Sequence, residues 1–179
     1  MRVVAGKFGG RPLKTLEGKL TRPTSDKVKG AIYNMIGPFF EGGRVLDLFS
    51  GSGSLAIEAI SRGMTEAVLV EKDRRAQGVI LENLKMTKEE SSFQLMKQDA
   101  YQAIELLTGQ FDLVLLDPPY AKEQIVETIE KLNTKGLLSD KVMIVCETDK
   151  SVELPEEVSQ FGIWKQKCYG ISKVTVYVR

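Results

Sequence analysis

The sequence contains no histidine and only two cysteines among its 179 residues. Without histidine, a Ser-His-Asp triad, a histidine-ligated zinc site and imidazole acid–base catalysis are all excluded. Cys146 and Cys168 cannot form a disulfide framework or a four-cysteine metal site, and both are expected to be structural. We therefore expect a protein of the reducing cytoplasm that uses no metal.

Long hydrophobic runs and targeting signals are missing as well. No apolar run approaches the roughly 20 residues of a membrane-spanning helix, and the polar, glycine-containing start has no signal-peptide character. Aromatic residues make up only 7% of the chain, and the candidates for stacking on a base are Tyr120, Trp164 and Tyr169. The sequence thus predicts a protein without a membrane partner. It does not determine the oligomeric state, for which we expect a monomer.

The formal net charge is only +1, yet the charges are unevenly distributed. Residues 1–30 hold eight basic and two acidic residues, whereas the rest of the chain holds 17 basic and 22 acidic ones. Such an asymmetry indicates a polyanionic partner at one end, although a solvated basic tail would have the same composition. The cations that would contact phosphates are Arg2, Lys7, Arg11, Lys14, Lys19 and Arg22.

The chain divides into a basic extension over residues 1–23 and a domain over residues 24–179. Glycines between two short arms predict a small β-hairpin over residues 1–16. Strands are predicted at 44–49, 67–71, 93–96, 111–116, 142–146, 161–168 and 172–177, and helices at 24–36, 54–62, 73–86, 101–107 and 123–132. This alternation predicts an α/β fold with a doubly wound, mainly parallel, seven-stranded Rossmann-like sheet that ends in an antiparallel C-terminal hairpin.

The loop after the first strand carries Gly51-Ser52-Gly53 directly before a helix. Glycines one residue apart let the backbone approach a ligand, and the start of the helix offers free amide groups, although a tight turn needs glycine in any case. Glu71, 20 residues after Gly51, ends the second strand at the spacing where a carboxylate can accept hydrogen bonds from ribose hydroxyls. Together the two features indicate an adenosine-containing cofactor.

An acidic residue at the end of the first strand distinguishes between two such cofactors. Asp47 would repel the pyrophosphate of a dinucleotide but would suit an ammonium group, and Ala56 stands where the dinucleotide fingerprint has its third glycine. Both features favour S-adenosylmethionine over NAD. Asp99, after the third strand, either contacts the adenine amino group or caps the following helix, and the two roles are compatible.

The fourth strand leads directly into Asp117-Pro118-Pro119-Tyr120. Two consecutive prolines fix φ and donate no amide hydrogen, so the loop is stiff and rich in carbonyl acceptors. A carboxylate beside a carbonyl can accept both hydrogens of an exocyclic NH2 group, while the tyrosine ring can stack on a planar base. A plain double-proline stop is the alternative. Because this loop follows a strand of the same predicted sheet as the glycine loop, we favour its interpretation as a site for an amine that accepts a methyl group.

Four further segments accompany these loops: Met1-Arg2-Val3-Val4-Ala5-Gly6-Lys7, Arg22-Pro23-Thr24-Ser25-Asp26-Lys27-Val28, Ile32-Tyr33-Asn34 and Glu58-Ala59-Ile60-Ser61-Arg62-Gly63. The two loops resemble those of class I S-adenosylmethionine-dependent methyltransferases that act on amino groups, over residues 44–179. With the four segments, nearly the whole chain resembles the RsmD family. Those bacterial enzymes methylate N2 of a guanine in 16S ribosomal RNA.

The resemblance, together with the basic extension, implies a role for each candidate residue. The cofactor S-adenosylmethionine, and its product S-adenosylhomocysteine, would contact Asp47, Phe49, Gly51, Ser52 and Gly53 through the methionine moiety, Glu71 through the ribose, and Asp99 and Ala100 through the adenine. The catalytic residues would be Asp117, Pro118 and Tyr120, and the substrate would contact Arg2, Lys7, Arg11, Arg22, Thr24 and Pro119. The partner would be ribosomal RNA or a small-subunit particle.

One departure and two alternatives accompany this interpretation. Lys29-Gly30 stands where the family pattern has Arg-Glu, and a glycine inside a helix costs about 1 kcal/mol relative to alanine. An N-methyltransferase acting on DNA adenine N6 or on a protein glutamine amide would use the same chemistry, because each presents a planar NH2. A nicotinamide-dependent oxidoreductase would use the same nucleoside loop, but the lack of histidine would deprive it of its commonest acid–base group.

Overall fold

A single mixed β-sheet forms the centre of the computed structural model, which describes residues 1–16, 24–119 and 121–179. Its strands are β1 (Arg44–Asp47), β2 (Glu66–Val70), β3 (Phe93–Met96), β4 (Phe111–Leu116), β5 (Leu138–Asp149), β6 (Glu157–Val158), β7 (Phe161–Tyr169) and β8 (Ser172–Val178). The order across the sheet is β3-β2-β1-β4-β5-β8-β7-β6. Strands β1 to β5 are parallel, whereas β6, β7 and β8 pair antiparallel.

Five helices connect and cover the strands: α1 (Asp26–Ile36), α2 (Ser54–Ser61), α3 (Arg74–Thr87), α4 (Ala100–Leu106) and α5 (Ala121–Thr134). Three of them begin at side-chain caps, because the first amides of a helix have no partner within it. Ser25 accepts from the amide of Val28, Asp73 from that of Ala76, and Asp99 from that of Gln102. The predicted cap at Asp99 is confirmed.

The topology determines where a ligand can bind. Chain order reverses between the neighbouring strands β1 and β4, so the loops after these two strands leave the same edge of the sheet in opposite directions. The crevice between such loops is the usual binding place in an open α/β sheet. The glycine loop follows β1 and the double-proline loop follows β4, and the fold therefore places them side by side.

The predicted fold is confirmed, with two differences in the strands. The sheet has eight strands instead of seven, because the two-residue strand β6 pairs with the start of β7 and is too short to leave an alternating pattern. Strand β5 begins four residues earlier than predicted, since the polar Ser139-Asp140-Lys141 segment interrupts its apolar run and the register with β4 shifts there. Within the described residues no helix combines the length and apolar character needed to cross a membrane.

The N-terminal segment packs into the core instead of extending from it. Val3, Phe8 and Leu13 are buried together with apolar residues of α1, α2 and the sheet. Its two arms pair as predicted, but through a single bridge between Arg2 and Pro12. Gly6 has a φ of 87°, and a Cβ there would lie 1.9 Å from the carbonyl oxygen of Ser61, so no other residue fits. The boundary at residue 23 stays a prediction.

Candidate active site

A cavity of about 790 Å³ opens at the carboxyl ends of strands β1 to β4. All four loops that follow these strands contribute to its wall. The predicted site residues that line it are Thr24, Phe49, Gly51, Ser52, Glu71, Asp99, Ala100, Asp117, Pro118 and Pro119. Three residues that were predicted to contact the substrate lie outside the described residues: Lys19, Arg22 and Tyr120.

The loop after β1 turns sharply through two glycines in left-handed conformations. Gly51 has a φ of 56° and lines the cavity, while Gly53 has a φ of 81° and is the N-cap residue of α2. A Cβ on Gly53 would approach the side chain of Leu69 to 3.1 Å. Gly53 therefore shapes the turn and is not among the residues that line the cavity, and its contact with the methionine moiety stays a prediction.

Glu71 ties this loop to the end of β2. Its Oε1 accepts the amide hydrogen of Gly51 at 2.8 Å, and its Oε2 accepts that of Asp73 at 3.0 Å. A carboxylate oxygen has two lone pairs, so each of these oxygens can accept one further hydrogen bond. The arrangement thus holds the glycine loop and leaves acceptors on the cavity wall for a pair of hydroxyls.

Asp99 serves a structural purpose and also lies at the cavity. Its Oδ1 accepts the amide hydrogen of Gln102 at 3.0 Å and begins α4. The same residue lines the cavity next to Ala100, on the wall formed by the loop after β3. Contact of Asp99 with an adenine amino group stays a prediction.

Asp117 follows β4 and faces the cavity beside Pro118. The residue is exposed in the cavity, where the surrounding protein partly desolvates its carboxyl group. This desolvation, with smaller contributions from the negative charges of Glu147 and Asp47, raises the pKa of Asp117 to about 8. A carboxyl group with such a pKa holds a proton near neutrality until a positive charge arrives.

Asp47 lies at the buried end of β1, beneath the cavity wall. Burial, and then the charge of Glu71, raises the pKa of Asp47 to about 7. Its Oδ2 is buried and has no hydrogen-bond partner among the described residues. Asp47 does not itself line the cavity, but an unpartnered buried carboxylate oxygen is costly and would be stabilised by a nearby cation. This acceptor is therefore chemically suited to an ammonium group such as that of S-adenosylmethionine.

Sequence reasoning missed Glu147. It lies near the end of β5, where its Oε2 accepts a hydrogen bond of 2.7 Å from the hydroxyl of Thr24. Its charge also acts on Asp117 in the next strand. The signal in the sequence was an acidic residue directly after the apolar run of the fifth predicted strand. Parallel strands end at one edge of the sheet, so this residue could be expected near the loops that line the cavity.

The cations expected to contact substrate are placed differently. Arg2, Lys7 and Arg11 do not line the cavity. The guanidinium of Arg11 donates to the carbonyl oxygens of Met86 and Thr87 at the end of α3, and Lys7 forms an ion pair with Glu89. These two side chains therefore hold the N-terminal segment against α3.

The Lys29-Gly30 departure has a structural account. Lys29 is fully buried, and its ammonium donates to Ser54 Oγ and to the carbonyl oxygen of Arg2, both at 2.8 Å. Glu58 Oε1 lies 3.4 Å from the same ammonium, while burial lowers the pKa of Lys29. A Cβ on Gly30 would lie 3.6 Å from Val4, which is ordinary contact, so nothing in the structure requires glycine there.

Comparison with known proteins extends these observations to the whole chain. The family described as conserved hypothetical protein 95 matches residues 1–178. A Bacillus subtilis protein provisionally named rRNA methyltransferase YlbH is 40% identical over 99% of this chain and 98% of its own length. The Haemophilus influenzae protein named ribosomal RNA small subunit methyltransferase D is 31% identical over 99% of this chain and 93% of its own.

A solved structure shares both the fold and much of the sequence. A conserved hypothetical protein of Streptococcus pyogenes aligns with a TM-score of 0.82 at 68% identity, over 85% of this chain and 95% of that chain. Relatives of this chain therefore share its fold.

Proposed function

Since this chain belongs to the conserved hypothetical protein 95 family, which is the RsmD family, we propose that it methylates small-subunit ribosomal RNA. The donor in this proposal is S-adenosylmethionine, and the acceptor is the exocyclic N2 of a guanine. The name of the Haemophilus influenzae relative supports the class of substrate. The partner is therefore ribosomal RNA or a small-subunit particle.

The observation that carries the proposal is that Asp117 and the glycine loop line the same cavity. An exocyclic amine is a poor nucleophile because its lone pair is conjugated with the ring. Asp117, with the carbonyl of Pro118, can accept both amine hydrogens and stabilise the positive charge that develops on nitrogen. A carboxylate whose proton affinity is raised by desolvation is also a better acceptor for the proton that the methylated amine must lose.

The other predicted residues hold the donor in this proposal. S-adenosylmethionine, when bound, supplies a methyl group on a positively charged sulfur. Glu71 accepts hydrogen bonds from the ribose hydroxyls, Asp47 pairs with the ammonium group, and Asp99 with Ala100 contacts the adenine. Phe49, Gly51 and Ser52 support the methionine moiety. In-line alignment at close approach would provide much of the acceleration.

On the substrate side, Thr24 and Pro119 border the cavity and would contact the target nucleotide. A guanine inside a helix cannot reach Asp117, so an unpaired or flipped base is required. Tyr120 as a stacking partner, and Arg2, Lys7, Arg11 and Arg22 as phosphate contacts, remain predictions.

The test is transfer of a tritiated methyl group to ribosomal RNA, and to small subunits, from a strain that lacks this protein. Nucleoside analysis of the labelled product should yield N2-methylguanine, and the Asp117→Asn variant should transfer the label far more slowly than the wild type. Label in another nucleoside would overturn the guanine-N2 assignment, while label in DNA adenine or protein glutamine would overturn the RNA assignment.

Calorimetry separates this proposal from a nicotinamide-dependent oxidoreductase. S-adenosylmethionine should bind, whereas NADH should not, because the buried carboxylate of Asp47 repels a pyrophosphate. Tight binding of NADH with no binding of the sulfonium ligand would overturn the cofactor assignment.

A further inference from the structure

The outer edge of β7 is largely unpaired. Strand β6 covers only Phe161 and Gly162, and beyond them the described part of the chain places no strand against this edge. Residues 164–168 are all exposed. An exposed strand edge of this length needs either a protective device or a partner.

A bulge brings an aromatic and a basic side chain of this strand together. The register of β7 with β8 shifts between Ile163 and Lys165, so Trp164 is an extra residue. The ammonium of Lys165 lies 4.1 Å from the centroid of the Trp164 ring, and the indole remains 48% exposed. Two residues further on, Lys167 stacks over the ring of Tyr169 at 5.5 Å.

We call these four residues the β7 strip, and its two lysines lie on the same face of the sheet as Glu147. Lys165 pairs with Val176 and Lys167 with Val174, and both valines pack in the core beneath α1. Glu147, whose charge acts on Asp117, pairs with the same Val174, so the acceptor end of the cavity adjoins this face.

The β7 strip is also close to the acceptor end of the cavity. The register across the sheet joins Leu116 to Cys146, and in the next row Glu147 to Val174 and Val174 to Lys167. Three strand spacings of about 4.8 Å place Lys167 roughly 14 Å from Asp117 along this row.

The chemistry of the β7 strip fits single-stranded RNA. Neither Lys165 nor Lys167 has an acidic partner within ion-pair distance among the residues that the structure describes, in contrast to Lys7 and Lys14. The ammonium of Lys165 donates one hydrogen bond, of 3.1 Å, to the carbonyl oxygen of Met35 in α1, so its positive charge is not neutralised. Edge lysines alone would serve to prevent strand pairing, but that purpose does not need an exposed indole and a phenol ring beneath the cations. Alternating cations and aromatic rings are how proteins bind phosphates and stack bases.

We propose that the β7 strip, Trp164, Lys165, Lys167 and Tyr169, binds the single-stranded RNA that flanks the target nucleotide. The inference rests on the proposed function, since it assumes an RNA substrate at the neighbouring cavity. The lysines contact phosphates, and Trp164 stacks on an unpaired base. The strip takes no part in the chemical step.

The test compares methyl-transfer kinetics of two double variants on naked ribosomal RNA at several salt concentrations. Lys165→Gln/Lys167→Gln should raise KM for RNA about tenfold and lower the salt slope by roughly 1.4, which is two phosphate contacts at 0.7 each. Its kcat and its affinity for S-adenosylmethionine should not change. Lys85→Gln/Lys141→Gln removes the same charge at exposed positions away from this edge and should leave both KM and slope unchanged.

Conservative variants separate binding from folding. Lys165→Arg/Lys167→Arg and Trp164→Phe should retain the wild-type KM, whereas Trp164→Ala should raise it about tenfold. An unchanged KM and slope in the glutamine variant would overturn the inference while transfer by the wild type upholds the proposed function. A rise in KM on small subunits but not on naked RNA would also overturn it, because the strip would then contact a protein. If the wild type transfers no methyl group to any RNA, the proposed function itself fails.

Discussion

Two pairs of carboxylates lie at or near the cavity, and the pairs differ in their hydrogen bonds and in their pKa values. The outer pair, Glu71 and Asp99, accepts hydrogen bonds from backbone amides at 2.8 to 3.0 Å. The inner pair, Asp47 and Asp117, lies at the ends of the central strands β1 and β4 and has pKa values raised to about 7 and 8, although Asp47 is buried and Asp117 is exposed in the cavity. The outer carboxylates are therefore oriented before any ligand binds, whereas the inner ones are expected to lose their protons when a positive charge arrives.

This difference suggests a division of labour. Backbone hydrogen bonds suit residues that recognise the neutral nucleoside, because recognition needs fixed directions. Desolvated carboxyl groups suit residues that meet positive charge, since their interaction with a cation is strong where water is scarce. The following predictions test this division, from the largest expected effect to the smallest.

Replacing the inner carboxylate that faces the acceptor should have the largest effect. Asp117→Asn should lower kcat by roughly 10²–10³-fold, the usual cost of removing one preorganised electrostatic contact, and weaken binding of S-adenosylmethionine by no more than about tenfold, which corresponds to one pKa unit. Single-turnover kinetics and calorimetry measure the two quantities. Asp140→Asn, an exposed acid elsewhere in β5, is the control. Loss of cofactor affinity with turnover retained would reverse the roles of the two pairs.

The outer pair should show the opposite pattern. Glu71→Ala removes the acceptor of the Gly51 and Asp73 amides and the proposed ribose contact, and should weaken binding of S-adenosylmethionine by about 10- to 100-fold. The value of kcat at saturating cofactor should stay within about threefold. Glu66→Gln, at the exposed start of β2, is the matched control. A fall in kcat with cofactor affinity unchanged would contradict this assignment.

Cofactor binding should release protons from the inner pair. A positive ligand favours the ionised carboxylates, so the affinity for S-adenosylmethionine should rise with pH between about 6 and 8, by at most about tenfold per pH unit for each proton released. Calorimetry in two buffers of different ionisation enthalpy counts the protons. S-adenosylhomocysteine lacks the sulfonium charge and should release fewer. Equal proton release by both ligands would show that the sulfonium does not approach Asp117.

The smallest effect concerns stability without ligand. The pKa of Asp47 is raised in the folded state, so the native protein binds more protons than the unfolded chain between about pH 4 and 7. The free energy of unfolding should therefore fall as pH rises through this window, by at most about 1.4 kcal/mol per pH unit from this group. Asp47→Asn should remove that contribution in urea titrations at several pH values. An identical pH slope in both proteins would contradict the burial of this carboxyl.

Most of the fold could be predicted because its signals are local. The helix caps at Asp73 and Asp99, the stop at Gly37 and the apolar spacing of the parallel strands each depend on a few neighbouring residues. Strand β6 escaped prediction since two residues carry no periodicity. The polar start of β5 was not predicted, because the sequence does not show its pairing with β4.

The candidate site was predictable loop by loop, but its electrostatics were not. The positions of Gly51, Glu71 and Asp117 after their strands were enough to place them at one edge of the sheet. Nothing local indicated that Glu147 acts on Asp117, or that Lys7 and Arg11 are held by α3. Such pairings join residues far apart in the chain.

The sequence by itself determined the order of helices and strands, the turns that only glycine permits and the loops that carry the acidic residues. Those features follow from backbone sterics and side-chain periodicity, which act over a few residues. The tertiary structure alone decided which carboxylates are desolvated, which cations are neutralised against α3 and which remain exposed on β7. Burial and charge pairing depend on the distances between segments remote in sequence, and those distances exist only once the sheet has assembled.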